Sequence, residues 1–117
     1  EIPAPAWHLL PALPYTLPLK RRPFLIVAPV RGCPFRCNFC TSSIYYGRGL
    51  RRRPLEQVLD EIETNISGHR INDFFIWADT FTADRDYVLG FCQGIHERNL
   101  TISWTCNSRV DTIDREL

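Results

Sequence analysis

Three cysteines, Cys33, Cys37 and Cys40, stand in the run Arg31-Gly32-Cys33-Pro34-Phe35-Arg36-Cys37-Asn38-Phe39-Cys40. The C-x3-C-x2-C spacing follows directly on the apolar stretch from Phe24 to Val30. A cubane iron-sulfur cluster takes four thiolate ligands, so three in one short loop can hold three irons and leave the fourth open to a cofactor or substrate. An open iron implies chemistry rather than electron storage alone. The same thiolates joined by the imidazole of His69 or His8 would instead complete a closed tetrahedral zinc site, although structural zinc sites usually use paired short spacings. The chain holds five cysteines. An odd number with three clustered fits metal ligation in a reducing compartment, the cytoplasm by default, better than a disulfide framework. Cys92 and Cys106 fall on apolar faces and read as small packed hydrophobes.

The elements that must position this loop alternate strand and helix. Phe24 to Val30 reads as a strand buried on both faces, with the cysteine loop after its C-terminal end. Leu55, Val58, Leu59, Ile62 and Ile66 recur at helical spacing. With Pro54 suited to the first turn and Gly68 to termination, they predict a helix over Pro54 to Ser67. Phe74 to Trp77 forms a second strand. Asp79 to Thr82 then turns into a second helix, where Asp84 and Asp86 favour the positive N-terminal end and Val88, Phe91, Cys92 and Ile95 mark the apolar face. In the third strand, Thr101 to Asn107, the alternation puts Ile102, Trp104 and Cys106 on one face and Thr101, Ser103, Thr105 and Asn107 on the other, with Arg109 joining the polar set. Such alternation implies parallel strands with helical crossovers.

Ahead of this lies a segment with six prolines between Pro3 and Pro23. That density argues against a regular helix or strand, so residues 1–23 read as an extended linker. Trp7, Leu9, Leu10, Leu13 and Leu17 are too apolar for a free linker and predict packing on a neighbouring surface. A chain of 117 residues that begins at Glu1 and contains no methionine reads as an excerpt of at most one small domain. The net charge of +1 gives no electrostatic case for nucleic acid. No apolar run reaches the roughly 18 to 20 residues of a membrane span, and the N-terminus lacks a signal-peptide layout. The cluster Arg48, Arg51, Arg52 and Arg53 precedes a helix N-terminus, where positive charge is unfavourable. It reads as a solvated turn or as a patch compensated by something anionic. His69 and His96 fit surface positions.

The cysteine run resembles the cluster loop of the radical S-adenosylmethionine (SAM) enzymes, which carry C-x3-C-x-aromatic-C, with Phe39 in the aromatic position. Arg31-Gly32 and Pro34 are similar to the version in the subgroup with an upstream cobalamin-binding domain. Tyr46-Gly47-Arg48, Asp60-Glu61-Ile62-Glu63, Trp77-Ala78-Asp79-Thr80-Phe81-Thr82 and Trp104-Thr105-Cys106-Asn107-Ser108-Arg109-Val110-Asp111 resemble that subgroup in the same order. The resemblance runs from about Trp7 to the end.

It implies an α/β fold, the first half of a partial (β/α)6 TIM-like barrel preceded by the Pro-rich linker. Residues 24–117 would supply three strands, two full helices and the start of a third, and the polar face of the third strand would look into the lumen. Such a half barrel exposes core and would be inactive alone. The resemblance further implies a 4Fe-4S cluster on Cys33, Cys37 and Cys40, SAM bound at the open iron, and reductive SAM cleavage to a 5'-deoxyadenosyl radical. That radical would act on an unactivated carbon of a small-molecule substrate, with cobalamin donating a methyl group in methylating members and an external flavodoxin or ferredoxin supplying electrons. Oxidative ring closure, as in anaerobic porphyrin cyclases, is the alternative outcome, and a non-enzymatic iron-sulfur or zinc module the outside one.

Phe39 would pack on the adenine. Asp79 stands where the family binds the SAM ammonium, although Ala78-Asp79-Thr80 departs from the usual Gly-Gly-Glu-like triplet; otherwise Asp79 caps the following helix. Asn107 and Arg109 would reach the SAM carboxylate or the substrate, Arg109 through its planar fork; otherwise Arg109 forms a surface salt bridge. Tyr45 and Tyr46 would wall the pocket or simply pack. No catalytic residue is assignable beyond the cysteine loop.

Overall fold

Three short parallel strands carry the fold: β1 (Phe24–Val27), β4 (Asp73–Ile76) and β5 (Ser103–Cys106), hydrogen-bonded in the order β1-β4-β5. A second, antiparallel ribbon pairs β2 (Val30–Arg31) with β3 (Arg51–Arg52). The computed structural model describes residues 3–10, 15–18 and 20–117. Helix α1 (Ser42–Tyr46) lies between the ribbon strands, α2 (Leu55–His69) joins the ribbon to β4, and α3 (Arg85–Glu97) joins β4 to β5. This is an α/β fragment of a partial barrel: parallel strands joined by helical crossovers.

Register sorts the strand side chains into two sets. Leu25, Phe74 and Trp104 are aligned partners, as are Val27, Ile76 and Cys106. These six belong to one core with Val58, Leu59 and Ile62 of α2 and Val88 and Phe91 of α3. Burial removes their apolar surface from water at roughly 25 cal/mol per Å², the main favourable term holding sheet to helices. Phe81, Phe91 and Trp104 meet edge to face at centroid distances of 5.5 to 6.0 Å, a geometry that aromatic quadrupoles favour. The two helices approach closely because α3 presents Gly90 and Gly94 to α2; a Cβ on Gly90 would stand 2.7 Å from Leu55 Cδ1.

The alternate positions Ile26, Phe75 and Thr105 share the other sheet face, and Asp73 and Ser103 are its aligned partners at the N-terminal end of β4 and β5. Lys20 Nζ donates to Asp73 at 3.0 Å and also to Ser103 Oγ. Ile26 is 40% exposed. The expectation that the first strand is buried on both faces is therefore corrected: among the described residues, helices cover the Leu25 and Val27 face and leave Ile26 exposed.

The first strand also ends earlier than its apolar run. Pro29 lacks the N–H that would continue the parallel ladder, and its carbonyl instead accepts from Arg53 N at 2.8 Å, leaving Val30 and Arg31 to the ribbon. Arg51 and Arg52 are thus strand residues rather than a solvated turn. Arg52 pairs with Asp84, and Arg53 with the buried Glu61 at 2.6 Å. Helix α2 runs past Gly68; its αL cap is Arg70 (φ 56°), whose N–H bonds to the carbonyls of Asn65 and Ile66. Pro54 precedes the helix as its N-cap residue.

At the other end of the chain, Trp7 begins a 3-10 turn (Trp7–Leu9), packs at the edge of the core and donates through Nε1 to Glu61 Oε1 at 2.9 Å. Leu9 and Leu10 are exposed, and Thr16 and Pro23 form an isolated antiparallel bridge. Leu13, Pro11 and Pro14 of the linker expectation lie outside the described residues.

Candidate functional site

All three parallel strands discharge their C-terminal ends toward one side, and the chemistry-bearing residues follow those ends. The cysteine loop comes after β1, Trp77 to Thr82 after β4, and Asn107 to Arg109 after β5. In barrels of parallel strands this is the face that hosts catalysis, because loops there vary without disturbing the packed strands.

Main-chain bonds weld these segments together. Trp77 N donates to Val27 O at 2.7 Å and Phe81 N to Asn107 O at 3.0 Å. The Asn107 amide returns through Nδ2 to Ala78 O at 3.3 Å, so the loops after β4 and β5 hold each other. The Thr82 hydroxyl bonds to the hydroxyls of Ser108 and Thr112, adding a polar clasp beneath. A 3-10 turn, Phe81–Ala83, leads into α3, whose N-cap is Asp84, accepting from Tyr87 N at 3.3 Å. Asp79 does not cap this helix, and that reading is corrected.

Each cysteine of the loop has a different neighbour. Cys33 Sγ lies 3.6 Å from the Thr80 hydroxyl, Cys37 Sγ accepts from Arg109 Nη1 at 3.2 Å, and Cys40 Sγ accepts from Ser42 N at 3.5 Å. Among the described residues no group of three or more His, Cys, Asp or Glu side chains stands arranged to hold a metal ion. Neither His8 nor His69 joins the cysteines in such a group. The donor set still suits an iron-sulfur cluster: three soft thiols on one loop outside helix and strand, none tied into a disulfide.

Cys92 and Cys106 differ in kind. Burial pushes both thiols above the ordinary cysteine range, and the neighbouring Cys92 pushes Cys106 the same way. Cys106 packs against the core as expected, whereas Cys92 is exposed, correcting its placement as a packed residue.

Of the residues singled out for cofactor contact, Asp79 lines a cavity of about 160 Å³ with Ala28, Val30, Arg31, Tyr46 and Trp77. Phe39 stands clear of the protein surface, 87% exposed. Asn107 is committed through its amide to the β4 loop. Arg109 is the most heavily engaged: Nε and Nη2 donate to the two Asp111 carboxylate oxygens at 2.9 and 2.6 Å, Nη1 donates to Cys37, and the guanidinium carbon sits 4.2 Å above the centroid of Phe35. The bidentate pair holds the Asp111 carboxyl below the usual carboxylate range. Tyr45 is exposed, and Tyr46 edges the Asp79 cavity.

Two residues at this site were not singled out from sequence. Thr80 is buried against Cys33, and Phe35 lies under Arg109. Both fall inside runs with distinctive composition, but neither side chain advertises a contact so far away in sequence.

The profile of the radical SAM superfamily matches residues 27–117. An uncharacterised methyltransferase of Pyrococcus horikoshii is 35% identical over the whole chain, which covers 25% of that protein. The anaerobic magnesium-protoporphyrin IX monomethyl ester cyclase of Rubrivivax gelatinosus is 32% identical over 96% of the chain and 20% of its own length. The cytidylyl-2-hydroxyethylphosphonate methyltransferase of Streptomyces wedmorensis is 29% identical over the whole chain and 23% of its own length. The chain therefore spans a quarter or less of these curated relatives.

Proposed function

From a chain that belongs to the radical SAM superfamily, we propose a part of a SAM-dependent radical enzyme in which Cys33, Cys37 and Cys40 hold a 4Fe-4S cluster with one iron open to SAM. The observation that carries this reading is that all three thiols lie on the loop between β2 and α1, with Cys33 beside Thr80 of the β4 segment and Cys37 beside Arg109 of the β5 segment. When bound and reduced, the cluster would supply the electron for reductive cleavage of SAM to a 5'-deoxyadenosyl radical able to take hydrogen from a small-molecule substrate, and an external low-potential donor such as flavodoxin or ferredoxin would furnish that electron.

The residues of this chain bind and orient. Asp79, on the wall of its cavity, would accept hydrogen bonds from the SAM ammonium. The exposed ring of Phe39 is free to stack on the adenine. Asn107 acts on the pocket by holding the β4 loop through Ala78 O, and the Thr82 clasp keeps the two loops in one geometry.

Methyl transfer to an unactivated carbon with cobalamin as methyl donor is the favoured reaction; its methyl-transfer part is supported by relatives named as methyltransferases. Oxidative cyclisation is the second reading, supported by the cyclase at 32% identity. The clustered thiols favour a reducing compartment, the cytoplasm by default. The test is anaerobic reconstitution of the whole protein with iron and sulfide, dithionite reduction and addition of SAM, with 5'-deoxyadenosine as readout. Its formation supports the reading, and a well-formed cluster that never cleaves SAM refutes it. Methylcobalamin consumption then separates methyl transfer from cyclisation.

A further inference from the structure

We infer that Arg109 is a positioning residue for the cysteine loop, holding the Cys37 sulfur from the end of β5 and setting the reduction potential of the centre that sulfur serves. This rests on the assignment of Cys37 as a cluster ligand. It gives Arg109 a role beside the expected reach toward the SAM carboxylate or the substrate.

The argument begins with the guanidinium fork. Its three nitrogens all have partners: Nε and Nη2 on Asp111, Nη1 on Cys37 Sγ at 3.2 Å. The Nε–Nη2 edge, one of the two that can fork a carboxylate, is occupied by Asp111. The flat face is also taken, by Phe35 at 4.2 Å. Phe35 and Cys37 both belong to the cysteine loop, so a single side chain clamps that loop by an edge and a face. Arg rather than Lys is needed, because only a rigid planar cation can stack, fork and reach at once.

A charge-assisted N–H···S bond at a ligating sulfur stabilises the more negative, reduced state of the cluster, so it raises the reduction potential. Asp111 opposes this. Its carboxylate fixes the guanidinium in place and also offsets part of the positive field at the sulfur. Removing the cation and removing its counter-ion must therefore move the potential in opposite directions, which loss of packing alone does not do.

The experiment is an EPR-monitored redox titration of the reconstituted whole protein without SAM, comparing the native protein with Arg109→Gln, Arg109→Lys and Asp111→Asn at matched iron content. The potential is expected to fall in Arg109→Gln, to lie between native and Gln in Arg109→Lys, and to rise in Asp111→Asn. Equal potentials in all four proteins would overturn the inference, as would an unchanged potential with weakened SAM binding in Arg109→Gln. If Arg109→Gln takes up no cluster, Asp111→Asn decides: without the upward shift the inference fails. A native protein that forms no cluster would instead remove the ligand assignment on which it stands.

Discussion

The Tyr87 hydroxyl donates to the main-chain carbonyl of Arg53 at 2.8 Å, so α3 grips the chain where the ribbon passes into α2. Burial, with a smaller push from Asp84 and against Arg53 and Arg52, raises the phenol to about 12. Tyr87→Phe keeps the ring and loses the bond, and should cost about 1 kcal/mol of stability, read from the urea midpoint. The pH dependence has a definite sign. A raised folded value means the contribution is complete below the ordinary tyrosine value of about 10 and is lost as pH climbs toward the folded one. The native protein should lose stability across that window more steeply than Tyr87→Phe, and parallel slopes would count against the assignment.

Asp73 is expected to govern the acid limb. Burial raises its carboxyl, but hydrogen bonds from Lys20 and Ser103 and the charges of Lys20 and Arg22 outweigh this, leaving it below the usual range. A depressed folded value contributes stability that is present above the ordinary carboxylate value of about 4 and lost as pH falls through the folded one. Asp73→Asn should flatten the acid limb of a stability-versus-pH curve, and an unchanged limb would assign that stability elsewhere.

Gly32 holds φ 96° beside Gly49, whose carbonyl oxygen occupies the space that a Cβ would need. Backbone cannot yield as a side-chain tip can, so Gly32→Ala should disrupt the ribbon and reduce iron uptake several-fold. Iron content after reconstitution, alongside far-UV circular dichroism, checks this.

Replacement of Cys33, Cys37 or Cys40 by Ala should each abolish the cluster absorbance and SAM cleavage. Cys92→Ala and Cys106→Ala should retain both, since those thiols stand on α3 and β5 and not on the cysteine loop. Full absorbance in any of the first three variants would remove that cysteine from the ligand set.

The strand-helix alternation was legible because Leu25, Phe74 and Trp104 carry an apolar period that burial rewards. The ribbon was not: Arg51 and Arg52 have no apolar period, and their pairing depends on Pro29 ending β1. Gly68 read as a stop, yet α2 runs on to His69 and is closed by Arg70 in the αL conformation. At the site, the cysteine spacing pointed to one loop and the alternation in β5 placed Asn107 and Arg109 near its end. What Arg109 does there was hidden, because its contact with Cys37 crosses the sequence from one loop to another and depends on Phe35 and Asp111 together.

The ribbon has a thermodynamic consequence. Pairing of Val30 with Arg52 and Arg31 with Arg51 ties the two ends of the cysteine segment together. The entropy of closing a ring of that length is thus lost when the sheet folds, not when iron arrives. Gathering three sulfurs then requires only rearrangement within a loop whose ends are already joined, so cluster assembly and folding of the sheet are separable events.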